Sequence, residues 1–334
     1  MAFVGRPKKA QQQFDTPEEM YLRGALPRTG DAVDSLWIHQ GDVLRTYAET
    51  HQETRDIALE LPTGTGKTLP GLLIAEWVRR KAAGPVLYAT PTKQLARQVL
   101  MTANIEGVPA RLLIGSHRHW TVSDQTDVEG GEAIAITTYS SIFNSSPKLP
   151  VPRLVVLDDA HAGEQFVGEH YSVTIRRNDS EDAYLHVLDA LSPFLSGLQL
   201  QRLRGAPDPG AHHQVRLIVP AVDPDGPGRL DTALAELGEA YMYEFAMIRS
   251  ALAACCVYLS YGGIQIRPMI PPTFQNGVFS GAGQRVYLSA TLGAGGELER
   301  AFGRSDIVRM PLPTKTPPRS GTPAICLSRP RQRW

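Results

Sequence analysis

The run Leu61-Pro62-Thr63-Gly64-Thr65-Gly66-Lys67-Thr68 has the residue types and order needed to hold a phosphate. Glycines let backbone amides curl around an anion, and a helix starting directly afterwards adds its free N-terminal amides and positive dipole end. Lys67 would then reach the terminal phosphates of a nucleotide, and Thr68 would offer its hydroxyl to magnesium. The general pattern G-x-x-x-x-G-K-[ST] puts glycine where Leu61 stands, so Gly64 has to supply the extra flexibility. Thr63, Gly64, Thr65, Gly66, Lys67 and Thr68 are the resulting nucleotide ligands. A second run, Leu154-Val155-Val156-Leu157-Asp158-Asp159-Ala160-His161, ends four apolar residues in two carboxylates. A buried strand would deliver Asp158 to the sheet edge where ligands gather, to hold magnesium directly or through water, with Asp159 polarising the attacking water.

These groups need a sheet to carry them, and the chain has the pattern of one. Short apolar runs at 57–61, 85–90, 111–114, 133–138 and 154–157 alternate with helical stretches, which predicts an α/β fold with a parallel sheet. The phosphate run sits between a strand-like 56–61 and a helical 69–81, with Pro70 in the first turn, where its missing amide has no intrahelical partner to lose. Residues 1–30 are polar with scattered prolines and read as a flexible leader, and 31–163 as the nucleotide-binding core. Residues 164–265 read as a largely helical insert, because Leu230, Leu234, Leu237, Tyr241, Phe245, Ile248 and Leu252 recur at steps of three and four, as on one face of a long helix. A returning strand at 285–288 lies within 266–309, and the proline-rich 310–334 reads as a linker.

With 34 basic against 34 acidic side chains, net charge decides nothing about partners. Three cysteines, two of them the adjacent Cys255 and Cys256 and the third Cys326, make neither a disulfide framework nor a metal-ligand spacing, which points to a reducing compartment. No signal peptide or membrane span is legible, so a cytoplasmic or nucleoid-associated protein is expected and a secreted one is not.

In these motifs the chain resembles the superfamily 2 helicases, whose second motif usually reads Asp-Glu-Ala-His or Asp-Glu-Ala-Asp. Asp159 is one methylene shorter than that glutamate. Three more segments follow the family's order. Gln40, 27 residues before Lys67, stands where the family's glutamine reads adenine. Thr90-Pro91-Thr92-Lys93-Gln94 resembles the motif that grips single-strand phosphates, and Ser289-Ala290-Thr291 the motif whose hydroxyls couple the two sites. The resemblance also adds His161 to the nucleotide-binding residues. Asp158 and Ser289 are 131 positions apart, far more than one strand-helix-strand step needs, which leaves roughly 100 residues of insert. Such an arch-like helical insert, and the run 264–292, resemble the XPD and DinG branch.

The resemblance implies a RecA-like P-loop sheet, ATP and Mg2+ as cofactors, and ATP-driven translocation on single-stranded nucleic acid, DNA favoured. Many members hold an iron-sulfur cluster on four cysteines between the first two motifs; residues 68–158 contain none, so no cluster is expected. A second RecA-like domain normally supplies an arginine to the γ-phosphate. Arg309, Arg319 and Arg329 have no matching motif around them, so the chain is read as a fragment of a longer motor or a degraded gene product. Two alternatives stand beside the helicase reading: a nucleotide- and nucleic-acid-binding module without turnover, and the motor part of a restriction or phage-defence complex with other subunits.

Overall fold

The computed structural model describes residues 13–61, 64–81, 84–206, 214–291 and 295–310. Its strands, in chain order, are β1 (Asp56–Glu60), β2 (Val86–Thr90), β3 (Ala110–Leu112), β4 (Ile134–Thr138), β5 (Leu154–Leu157), β6 (Val173–Arg176), β7 (Arg216–Ile218), β8 (Cys255–Ser260), β9 (Gly263–Pro268), β10 (Gln284–Ser289) and β11 (Val308–Met310). Seven of them form one parallel sheet in the order β11-β1-β10-β5-β2-β4-β3. Near-continuous apolar strands such as Leu154-Val155-Val156-Leu157 are what a parallel sheet buried on both faces requires.

Side-chain alternation divides the interior into two cores. Ile57, Leu59, Tyr88, Ile136, Val156 and Leu288 face one of them, under the helices Ile38–Thr46 and Thr68–Lys81. Ala58, Leu87, Ala135, Val155, Leu157 and Tyr287 face the other. That second core runs without a break into the segment between β5 and β10, through Val173, Tyr184, Val257 and Ile266. Edge-to-face contacts of Tyr139 and Tyr287 with Phe302 lie at the seam.

The segment between β5 and β10 carries helices, but it is built on a second sheet that periodicity did not suggest. Its order is β6-β9-β8-β7, antiparallel throughout. The predicted long helix over 230–252 is also absent as a single element: Gly226–Glu236 and Met242–Ile248 are separate helices, and 3-10 turns follow each. Gly238 adopts φ +72°, a left-handed conformation that ends a helix at little cost for glycine. Leu230, Leu234, Phe245, Ile248 and Leu252 still all reach the same core, so the spacing reported burial correctly and continuity wrongly.

Both chain-end assignments change where residues are described. The supposed leader packs from residue 13 onward: Thr16 caps the helix Pro17–Leu22, Met20 and Tyr21 are buried, and the Trp77 indole N–H donates to the Phe14 carbonyl at 2.8 Å. At the other end Met310, assigned to the linker, completes β11 on the outer side of β1 and is buried. Residues 311–334, with Arg319, Cys326 and Arg329, lie outside the described residues.

At the amino edge of the sheet, Asp56 accepts hydrogen bonds from Arg285 at 3.2 Å, Arg304 at 3.0 Å and the Tyr287 hydroxyl at 2.9 Å. Arg285 is fully buried and also donates to the carbonyls of Phe279 and Ser280. Removing one partner of such a buried pair leaves an uncompensated charge, which costs about 3 to 5 kcal/mol. Asp56→Ala should lower the unfolding free energy by that amount in equilibrium denaturation; a loss below about 1 kcal/mol would show that the network is not needed to close the sheet.

Candidate nucleotide site at the carboxyl edge of the sheet

β1, β10 and β5 lie side by side, and their carboxyl ends present the phosphate-loop residues, Ser289 and the two aspartates along one edge. Gly64 and Gly66 take φ +81° and +65°, so the loop reverses where a side chain would be strained. The helix Thr68–Lys81 follows at once, which aims its N-terminal amides at the same space. Thr63 lies outside the described residues.

The Lys67 ammonium makes a direct ion pair with Asp159 and stands 3.9 Å from Asp158 Oδ1. The two carboxylates have different surroundings. Asp158 is buried, accepts from the Tyr88 hydroxyl at 3.0 Å and from the Asp159 amide at 2.9 Å, and its backbone carbonyl accepts from the Tyr139 hydroxyl at 2.7 Å. Burial pushes its carboxyl above the usual carboxylate range, opposed by the charge of Lys67 and the Tyr88 hydrogen bond. Burial and the charge of Asp158 raise the Tyr88 phenol well above its ordinary value, so Tyr88 remains a donor. Asp159 is half-buried and has φ 51°, the one left-handed non-glycine among the described residues. That backbone turns its carboxylate away from the strand direction and toward Lys67.

A divalent cation fits this donor set. A buried, desolvated carboxylate with an ammonium as its nearby counter-charge, next to the first residue of the helix, Thr68, is hard oxygen chemistry of the kind Mg2+ selects. His161 is exposed on a 3-10 turn, close enough to Asp158 to favour its ionised form. Ser289 and Thr291 bond each other, the Thr291 amide donating to the Ser289 hydroxyl at 3.3 Å, and the Leu61 amide donates to the Ser289 carbonyl at 2.8 Å. The third motif is thereby tied to the entry of the phosphate loop.

Gln40 is buried, and its amide is occupied on both sides. Its Oε1 accepts from the Trp37 amide at 3.0 Å, and its Nε2 donates to the carbonyls of Thr65 at 2.9 Å and Gly66 at 3.3 Å. In this conformation it holds the loop and presents no free edge to a base.

Of the four residues assigned to nucleic acid, the structure separates two from two. The Thr90 hydroxyl is buried and donates to the carbonyls of Thr92 and Thr137, and the Thr92 hydroxyl caps the helix Lys93–Ile105. Lys93 and Gln94 are exposed, and Lys93 enters a cleft of about 310 Å³. Sequence reasoning passed over the other walls of that cleft: Gly115, Ser116, His117 and Trp120 after β3, and Ser140, Ser141, Asn144, Ser146 and Lys148 after β4. The hydroxyl-rich run Thr137-Thr138-Tyr139-Ser140-Ser141 at a strand end was a legible signal for it. Tyr88, in the middle of an apolar strand, carried none.

The DEAD/DEAH box helicase family matches residues 40–187, from Gln40 into the segment beyond β6. No curated protein matches the chain. Among solved structures, an XPD helicase is similar over 84% of this chain and 63% of its own, at 14% identity and TM-score 0.50. An XPD in its apo form and Xpd4 of S. tokodaii are similar at 16% and 15% identity, each over 81% of this chain and with TM-score 0.48. The chain spans 57% and 60% of the length of those two. Residues 40–187, which hold the glycine-rich loop, the paired aspartates and the strands between them, are thus similar to the DEAD/DEAH box helicase family, and the parallel sheet that carries them has a RecA-like fold similar to that of an XPD helicase.

Proposed function

We propose that this chain is the first motor domain of an ATP-driven translocase on single-stranded nucleic acid, DNA favoured. The observation that carries the reading is the convergence of Lys67, Asp158 and Asp159 at the carboxyl ends of β1 and β5, on either side of β10, with a glycine-shaped loop and a helix N-terminus facing the same space. Lys67 would exchange its carboxylate partners for the β- and γ-phosphates, Thr68 and Asp158 would hold Mg2+, and Asp159 would orient water. Magnesium would neutralise charge on the transferring phosphoryl group. Gly64, Thr65 and Gly66 line the loop, and His161 tunes Asp158.

The cleft around Lys93 suits a sugar-phosphate strand, because Lys93 and Lys148 offer charge, Ser116, Ser140, Ser141 and Asn144 offer donors, and Trp120 offers a ring. Thr90 and Thr92 would shape its floor, with Gln94 at its edge. Ser289 and Thr291 would link this cleft to the phosphate loop through the bond to Leu61. A second RecA-like domain would complete the motor and contribute the arginine that stabilises the transition state, worth roughly a thousandfold or more in turnover.

A second reading, a nucleotide-dependent binding module without turnover, is favoured by Asp159 itself: its carboxylate is short, and its left-handed backbone directs it at Lys67. Steady-state ATP hydrolysis with and without single-stranded DNA separates the two readings.

Lys67→Ala removes a charge-assisted contact and should weaken Mg-ATP binding by about 10- to 100-fold in calorimetry without lowering the melting temperature. Unchanged affinity in a folded variant would refute the phosphate-loop reading. Asp159→Asn should spare that affinity and act on turnover alone.

Asp158→Asn should weaken magnesium-dependent binding and raise the melting temperature at neutral pH. With its folded pKa above the unfolded one, Asp158 costs the native state stability as pH rises through the folded value, and asparagine escapes that cost. The difference between the two proteins should close below about pH 4, where both states of the wild-type carboxyl are protonated. A difference that widened in acid would contradict the burial argument.

A further inference from the structure

The middle of β2 holds a group that apolar packing alone does not call for. Tyr88 is fully buried in the strand, and its hydroxyl donates to Asp158 Oδ2 at 3.0 Å. Phenylalanine would fill the same slot with no polar atom to satisfy. The chain also makes room for this ring. A Cβ on Gly71, in the first turn of the helix Thr68–Lys81, would come within 2.9 Å of Tyr88 Cε2 and 3.2 Å of its hydroxyl. Glycine within a helix is disfavoured, so the position gives up helical preference and seats the phenol. The Thr68 hydroxyl, at the start of that helix, is a second hydrogen-bond partner of the Tyr88 oxygen. One buried hydroxyl therefore touches both residues assigned to the metal.

The two oxygens of Asp158 are thereby given separate duties. Oδ1 accepts from the Asp159 amide at 2.9 Å and faces Lys67 at 3.9 Å, on the side of the phosphate loop. Oδ2 is held by Tyr88. Resting on the nucleotide-site reading above, we propose that Tyr88 is a positioning residue that limits Asp158 to coordination through one oxygen and so makes the site select Mg2+ over Ca2+. Magnesium demands near-octahedral geometry at about 2.0 to 2.1 Å and keeps several of its waters, which one carboxylate oxygen and one hydroxyl suit. Calcium gathers about six to eight oxygens at about 2.3 to 2.6 Å and readily takes both oxygens of one carboxylate. Asp158 can supply that second oxygen only by leaving the proton of a buried phenol unpaired.

The test titrates ATP into the full chain by calorimetry, with magnesium or calcium as the sole divalent ion. Wild type should bind Mg-ATP at least about tenfold more tightly than Ca-ATP. Tyr88→Phe keeps the ring in its slot and removes only the hydroxyl. It should weaken Mg-ATP by about tenfold, the scale of losing a group that orients a metal ligand, and bring the two metals within about threefold of each other. Gly71→Ala keeps the hydroxyl but displaces the ring, and should narrow the ratio in the same direction; melting temperatures check that each variant is folded. An unchanged ratio of Mg-ATP to Ca-ATP affinity in the folded variants, including an equal loss with both metals, would show that Tyr88 only fills space and would overturn the proposal. Equal affinity of wild type for Ca-ATP and Mg-ATP would overturn it as well. If wild type binds ATP with neither metal, the nucleotide-site reading has failed and the proposal falls with it.

Discussion

One carboxylate on the first strand, bonded to two guanidinium groups and a phenol, joins parts of the chain that are 229 residues apart. Asp56 draws Arg285 and Tyr287 of β10 alongside β1, and β10 then fills the gap between β1 and β5. The consequence reaches the opposite edge of the sheet. Because the register runs Asp56 to Arg285 and on to Glu60 and Ser289, fixing one end of the pair of strands fixes the other, where the phosphate loop departs. The same strand carries Tyr287 into the core shared with the second sheet, so the segment between β5 and β10 is seated by the contact that completes the parallel sheet.

Charge at that edge is arranged by burial more than by number. Asp158 sits in a dry setting among Tyr88, Tyr139 and its own strand, and Asp159, its neighbour, is wetter and already paired with Lys67. Two neighbouring carboxylates are thereby given unlike settings: burial raises the tendency of Asp158 to hold a proton, while Asp159 is held in an ion pair. The unusual backbone of Asp159 serves the same end, since in an extended conformation successive side chains point to opposite sides.

Much of this was legible in the sequence, and the omissions have physical causes. The parallel strands were readable because both faces are buried and the apolar runs are unbroken. The tight turn between β1 and the next helix was readable because Gly64 and Gly66 take left-handed conformations that other residues adopt only at a cost. The second sheet was not, because Leu217 and Tyr258 face each other across β7 and β8 on an exposed side, which blurs the alternation that marks a half-buried strand. Phe14, Met20 and Tyr21 looked like isolated apolar residues because their partners, Trp77 and Glu106 among them, come from distant parts of the chain. Gln40 shows a subtler limit: the residue was found from its position, but its bonding depends on where Thr65 and Gly66 place their carbonyls.

The strand order also sets a clock on synthesis. Translation proceeds at about 5 to 20 residues per second, so β1 leaves the ribosome about 10 to 45 s before the strand that must lie beside it. Once β5 has followed, β1 and β5 are two apolar strands with the place between them still empty, which is the kind of surface that recruits unrelated strands. The gap closes only when β10, which ends at Ser289, has been made.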